Sequence, residues 1–360
     1  MNLYARCALL ALALTGASAH AYDARCGRTV RQSVTLMGDL DCEGFTGAAV
    51  IMEGDHLTFD GNGFKIIGRT LKGAIVGSGR NMTVKNTVME NYKDGTAIFL
   101  TDAPGLRIQN NFIENNRIGI TLYAGMKEMT DVQVTNNVIT NSGEYGLILR
   151  RYRSYTVLDP RIEGNDFSGS KSAAIEAATE ALSISGSQNN IFNDCRNGIV
   201  FYGGMLVVEG LDLSQSRIPS TPLTVAEARN VQIFNSNFSS TPGTVQPPTF
   251  RGTTTGISSS GVDNLTIQNT VISGREIAII LTQHGPQSGA ARIENNVFAG
   301  NVAGLHVRSE DGTSWGVLKV TGNDLRVREA QQALWFLPGV TYAAGSDFSN
   351  NLLTGAPRLH

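Results

Sequence analysis

Several ingredients are scarce in this chain, and each scarcity excludes something. After residue 21 no window approaches the roughly 18 consecutive apolar residues a membrane-spanning helix needs, so no membrane span is expected. Cysteine and histidine are sparse, four and five in 360 residues, and no pair of them has zinc-site spacing. Charge of one sign is missing too: 29 Lys and Arg face 31 Asp and Glu, a formal charge of −2. Such a balance carries no basic footprint for a nucleic-acid partner. Helical stretches of ten or more residues are absent, because Gly and Asn recur too often to permit them.

What is present begins with a leader. Arg6, the apolar stretch Cys7 to Leu14 and the small residues ending in Ala19-His20-Ala21 read as a secretory signal peptide over residues 1–21, with cleavage after Ala21. The mature chain of 339 residues would carry a formal charge of −3, having lost Arg6, and would reside in the periplasm or outside the cell. In that oxidising setting Cys26 and Cys42, 16 residues apart, are expected to form a disulfide that pins an N-terminal cap over residues 22–50. Cys195 is left over and reads as a buried, inert thiol, since no histidine lies nearby in sequence to activate it.

Between the ends runs a repeat. Forty glycines against ten prolines, with 17% charged residues, suggest a β-rich chain full of tight turns. An apolar residue followed two positions later by Asn or Gly recurs at Phe59, Val84, Ile108, Val134, Ile162, Ile184, Val208, Ile233, Ile267, Ile293 and Val320. Most gaps lie between 22 and 28 residues, with one of 34 after Ile233. Only Asn and Gly occupy the third position, and these tolerate a left-handed backbone; a corner is expected there, with the asparagines stacking into a hydrogen-bonded ladder.

A second strand in each unit is apolar at alternate positions, as in Ile98/Leu100, Ile120/Leu122, Leu147/Leu149, Ile199/Phe201 and Leu305/Val307, which places its other side chains outward. The pattern predicts an all-β, right-handed parallel β-helix of about eleven coils over residues 51–342, with a C-terminal cap or tail over 343–360 and a projecting loop over 239–255.

Reading outward positions from coil to coil gives two columns. The first runs Phe99, Thr121, Ile148, Glu176, Val200, Thr224, Ser258, Ile280, His306, Trp335; the second contains Thr101, Tyr123, Arg150, Ala178, Tyr202 and Arg308. Tyr123, Arg150, Glu176 and Tyr202 fall together as candidate catalytic residues, flanked by Lys127, Arg151, Tyr152 and Arg153. Aromatic rings stack on sugar faces and guanidinium groups bind carboxylates bidentately, the equipment of an acidic-glycan groove. In a β-elimination a cation neutralises the uronate carboxylate, a base removes the C5 proton and an acid protonates the leaving oxygen. Tyr123 or Tyr202 could be the base or the acid. Arg150 would be the neutraliser, or the base only with a strongly depressed pKa. The plainer reading is that these residues cover an exposed sheet, with Glu176 paired to Arg150.

A second group comprises His284, His306, Arg308 and Trp335, with Glu310 and Asp311 in the next turn; His306, Arg308 and Trp335 join Lys127, Arg151 and Arg153 as candidate substrate contacts. His56 reads as structural. No cofactor is called for: calcium would need convergent carboxylates, and Asp102, Asp131, Glu144 and Glu176 lie on different coils.

The repeat text Ile108-Gln-Asn-Asn-Phe-Ile-Glu-Asn-Asn116, echoed from Val134 and from Ile293, resembles the parallel β-helix families of the copper-maturation (NosD-like), mannuronan C5-epimerase and polysaccharide-lyase type over residues 50–345. The resemblance implies the coil and an extracytoplasmic polysaccharide bound along one outer sheet. It does not supply an active site. The Asp-Pro-His-Asp of the epimerases would align with Ile148-Leu149-Arg150-Arg151, where its histidine is absent, and Asp159-Pro160-Arg161 lies on a different strand. The paired aspartates and Gly-His-Gly of polygalacturonases and the Arg-x-Pro-x-x-Arg of pectate lyases are missing. The expectation is a monomeric, secreted enzyme performing β-elimination or C5 epimerisation on an acidic polysaccharide. The alternative is a non-catalytic glycan-binding or cell-surface β-helix, with a glycoside hydrolase behind both.

Overall fold

A computed structural model describes residues 20–21, 25–69, 72–240, 254–284, 289–310, 312–329 and 332–353. The signal-peptide reading, apart from the short strand His20–Ala21, therefore lies outside the described residues, as do most of the proposed loop 239–255 and the last seven residues.

The chain winds as a parallel β-solenoid of about 12 turns. One turn illustrates the rest. Thr96–Thr101 lies on a first sheet, Arg107–Gln109 on a second and Phe112–Glu114 on a third, and the chain then returns to the first as Ile118–Ala124. Each strand pairs in parallel with its counterpart one turn on, for example Phe99 with Thr121 and Ile108 with Val134. The alternating apolar side chains, among them Ile98, Leu100, Ile120, Leu122, Phe201 and Val307, are fully buried and form one continuous core along the rod. Pairing reaches into the N-terminal segment, where Arg28–Val30 joins Val50–Met52. There Cys26 and Cys42 form the expected disulfide, with 5.6 Å between Cα atoms. Cys195 is buried; its thiol donates to the Phe167 carbonyl at 3.0 Å, and burial pushes its pKa up to about 11.

The corners follow the repeat with two corrections. Nine of the eleven third-position residues have a left-handed backbone, with φ from 50° at Asn269 to 68° at Gly322. Gly61 and Gly186 do not. A Cβ on Gly61 would stand 2.5 Å from the Thr87 Cα, and one on Gly186 1.9 Å from the Gly210 carbonyl oxygen. These glycines serve close approach between coils, and the positive φ passes to Asn62 and Asn189.

The second correction concerns the ladder. The third-position asparagines point outward, and the buried column is made by the next residue. Asn111 Nδ2 donates to Asn137 Oδ1 at 3.0 Å, Asn137 to Asn165 at 3.0 Å and Asn165 to Asn190 at 3.1 Å. A second run links Asn296, Asn323 and Asn351 at 2.9 Å per step. Each amide also reaches a backbone carbonyl of the preceding turn, as Asn137 does to Ile108, and Asn137 bonds the Thr135 carbonyl of its own corner as well, so groups that the turn strands inside the rod are satisfied.

Asn137→Ala removes these donors and leaves the Asn111 amides without their acceptor, and it should lower unfolding free energy by about 3 kcal/mol. Its exposed neighbour variant Asn136→Gly, which keeps an accessible left-handed backbone, should change it by less than about 0.5 kcal/mol. Urea denaturation of the two variants checks the difference.

Candidate functional site

The outer face of the first sheet carries both predicted columns in the expected register. Glu176 pairs with Ile148 on one side and Val200 on the other, Tyr123 with Arg150, and Tyr202 with Ala178 and Ala226. Because the strands are in step, these side chains from four successive turns lie side by side on one face. Arg150 Nη2 lies 3.2 Å from Glu176 Oε1, the carboxylate only 15% exposed and the guanidinium 53%. Arg150 therefore keeps donors facing solvent while Glu176 holds it in place.

The structure adds Tyr145, which the sequence reading missed because it belongs to the strand's entry, before the alternating run. A Ser172 hydrogen bond pulls the Tyr145 phenol down, but burial, a hydrogen bond to Glu176 and the charges of Glu176 and Glu144 outweigh it and raise the pKa above the ordinary tyrosine value. Tyr202 is raised as well, by burial first and then by Glu176 and Glu227. A phenol held protonated is fitted to donate a proton, which favours Tyr202 as acid over Tyr202 as base.

The flanking residues divide. Lys127 is exposed on a turn whose backbone N–H groups at Gly125, Met126 and Lys127 all donate to Asp102 Oδ1, at 2.8, 2.8 and 3.0 Å. Arg151 pairs with Glu180 at 2.9 Å. Arg153 takes a left-handed φ of 57° and lays its guanidinium 5.1 Å from the Tyr152 ring centre; that ring in turn lies 6.4 Å from Tyr123.

The C-terminal group is assembled differently from what its residue types suggest. His306 is 3% exposed, with Trp335 packed edge-on at 4.6 Å. Burial, then the charge of Arg308, pushes its pKa down to about 4. It is neutral at neutral pH, and the surface here is formed by the partly exposed Trp335 and Arg308 rather than by the imidazole. His284 is set apart, over Gly261, where an added Cβ would stand 2.8 Å from its ring. His56 has a left-handed backbone and lies 3.4 Å from the Asn81 amide in an N-terminal coil. Asp311 lies outside the described residues. Among the described residues no group of three or more His, Cys, Asp or Glu is placed to hold a metal ion, and no helix is long and apolar enough to cross a membrane. A concavity of about 770 Å³, lined by Ser214, Asn237, Ser273, Glu276 and Arg328 among others, shares no residue with either group.

The chain belongs to the right-handed beta helix region family, which matches it over residues 25–159 and 131–325. No curated protein matches it. Among solved structures it is similar to the catalytic unit of the thermostable GH87 alpha-1,3-glucanase from Streptomyces thermodiastaticus strain HF3-3, at 16% identity and a TM-score of 0.51, over 89% of this chain and 64% of that one. The chain thus spans less than two thirds of that unit's length, and at this identity the likeness shows the winding of the backbone.

Two measurements test the electrostatics. In an alkaline spectrophotometric titration Tyr145 and Tyr202 should ionise above the ordinary tyrosine range, and Tyr202→Phe should remove one late-titrating phenol. His306 has a folded pKa below its ordinary value, so its contribution to stability is fully present above about pH 6.5. It should be lost as pH falls towards 4, at up to about 1.4 kcal/mol per unit. In His306→Gln that part of the acid destabilisation should vanish from a series of chemical denaturations.

Proposed function

We propose that the protein is a monomeric carbohydrate-active β-helix working outside the cytoplasm, which binds an acidic polysaccharide along the outer face of its first sheet and acts on it by β-elimination or C5 epimerisation. The observation that carries this reading is the contact set Arg150–Glu176–Tyr145 beside the exposed phenol of Tyr202. It puts a solvent-facing guanidinium, a carboxylate and two protonated phenols within one patch.

In this reading Arg150 neutralises the uronate carboxylate, which acidifies the C5 proton. Glu176, oriented by Arg150 and Tyr145, accepts that proton. For elimination Tyr202 protonates the departing glycosidic oxygen; for epimerisation a phenol, Tyr202 or Tyr123, returns a proton to the opposite face of C5. Lys127, Arg151 and Arg153 carry neighbouring carboxylates, and Tyr123, with Arg308 and Trp335 further along the rod, offers stacking and charge to a long polymer. The disulfide fits an oxidising compartment.

A hydrolase is the second reading, favoured by Glu227, which together with Glu176 raises the Tyr202 phenol and so supplies a second carboxylate to the patch. Incubation with alginate, pectate, hyaluronan and α-1,3-glucan distinguishes the cases. Elimination creates ultraviolet-absorbing unsaturated uronates, epimerisation exchanges the C5 hydrogen for deuterium from heavy water, and hydrolysis yields reducing ends without unsaturation. Arg150→Ala and Tyr202→Phe should each lower turnover by at least about 100-fold. Intact turnover in both variants would place the chemistry elsewhere.

A further inference from the structure

The connections between the first and second sheets change length abruptly along the rod. Eight residues (125–132) follow the strand Ile118–Ala124, and nine (152–160) follow Tyr145–Arg151. In the next two turns there are none: Ala173–Ser185 and Asn197–Glu209 run unbroken from one sheet into the other and pair with each other along their length. Three residues follow in each of the next two turns (227–229 and 261–263). The result is a saddle about four coil spacings wide, on the order of 19 Å. Tyr152 and Tyr155 stand at one side, and His284, resting on Gly261, stands at the other.

The saddle floor is built around Glu180. Its Oε1 accepts from Arg151 Nη1 at 2.9 Å, and its Oε2 accepts from Arg229 Nη2. Its backbone N–H donates to the Thr156 hydroxyl at 3.0 Å, which ties it to the Tyr152–Tyr155 side. Arg229 belongs to a later turn, where its N–H donates to the Gly203 and Gly204 carbonyls, and it reaches back across a whole coil to meet Glu180. Gly204 makes that reach possible: a Cβ there would stand 2.9 Å from Arg229 Nη2 and 2.2 Å from the Glu180 carbonyl oxygen. One carboxylate thus fixes two guanidiniums, and Arg229 remains 68% exposed. A guanidinium has five donors, so each retains several for a further anion.

We propose that this saddle is a binding subsite for an anionic sugar unit, with Arg151 and Arg229 clamping its carboxylate, Glu180 positioning both, and Tyr152 and Tyr155 stacking on the adjoining sugar face. An ion pair this exposed adds little to stability, so holding two arginines in a fixed geometry over a glycine floor serves recognition. The inference rests on the glycan reading above and names the part of the face that selects for charge.

Its test is calorimetric titration of the full chain with hexasaccharides of guluronate and galacturonate, and with cellohexaose as the uncharged control. The wild type should bind the uronates at least about tenfold more tightly than cellohexaose. Arg229→Gln and Glu180→Gln should each remove most of that preference and flatten its salt dependence while leaving cellohexaose binding unchanged, and Glu180→Asp should restore part of it. Arg150→Ala run alongside separates the two readings. If Arg150→Ala weakens uronate binding while Arg229→Gln and Glu180→Gln, folded by circular dichroism, bind as wild type, the saddle is not the charge-selecting subsite and the central reading stands. If the wild type binds none of the uronates, both fall together.

Discussion

Everything in this molecule depends on stacking each turn on the next in strict register. Parallel hydrogen bonding between turns satisfies the strands, but a rod with three faces must turn corners inside a dry core, and every corner strands backbone amides and carbonyls. The buried asparagine column resolves this. Each side-chain amide offers both donors and acceptors, so one residue per turn can bond to the turns on either side of it and to the carbonyl across its own corner. Where asparagine is missing, smaller groups substitute: the Ser236 hydroxyl accepts from the Leu211 N–H and donates to the Phe234 carbonyl, and the Thr270 hydroxyl donates to the Gln268 carbonyl.

The site inherits its geometry from that register. A slip of one residue would turn Glu176 and Tyr202 inward and bring Ile175 and Phe201 to the surface, which the core forbids. The charged face is therefore positioned by groups that take no part in it. Its own pairs, Arg150 with Glu176 and Arg151 with Glu180, contribute about 0–1 kcal/mol each at such exposure. The rod would stand without them, and their arrangement is free to answer to a ligand.

How much of this was readable beforehand varies by element. The outward columns were, because side-chain direction in a strand alternates with a period of two and needs no partner to define it. The Arg150–Glu176 pairing was anticipated on the same ground. In the ladder the reading was off by one residue: Asn110-Asn111, Asn136-Asn137 and Asn295-Asn296 are adjacent identical pairs, and only the direction of the chain at the corner tells which turns left-handed and exposed and which is buried. The burial of His306 was hidden too: the outward column set Trp335 beside it, but alternation along a strand does not tell that the indole packs edge-on against the imidazole and leaves it 3% exposed.

By itself the sequence determined a parallel solenoid, the residues that line its core and those that face outward, because these follow from local periodicity and from the backbone freedom of Asn and Gly. Only the tertiary structure decided which outward residues share a ligand-sized space. The union of Glu180 with Arg151 and Arg229, residues 29 and 49 positions away, requires two connections to vanish and a glycine to clear the way. Such distances between turns are set by the lengths of neighbouring connections, which no single repeat records.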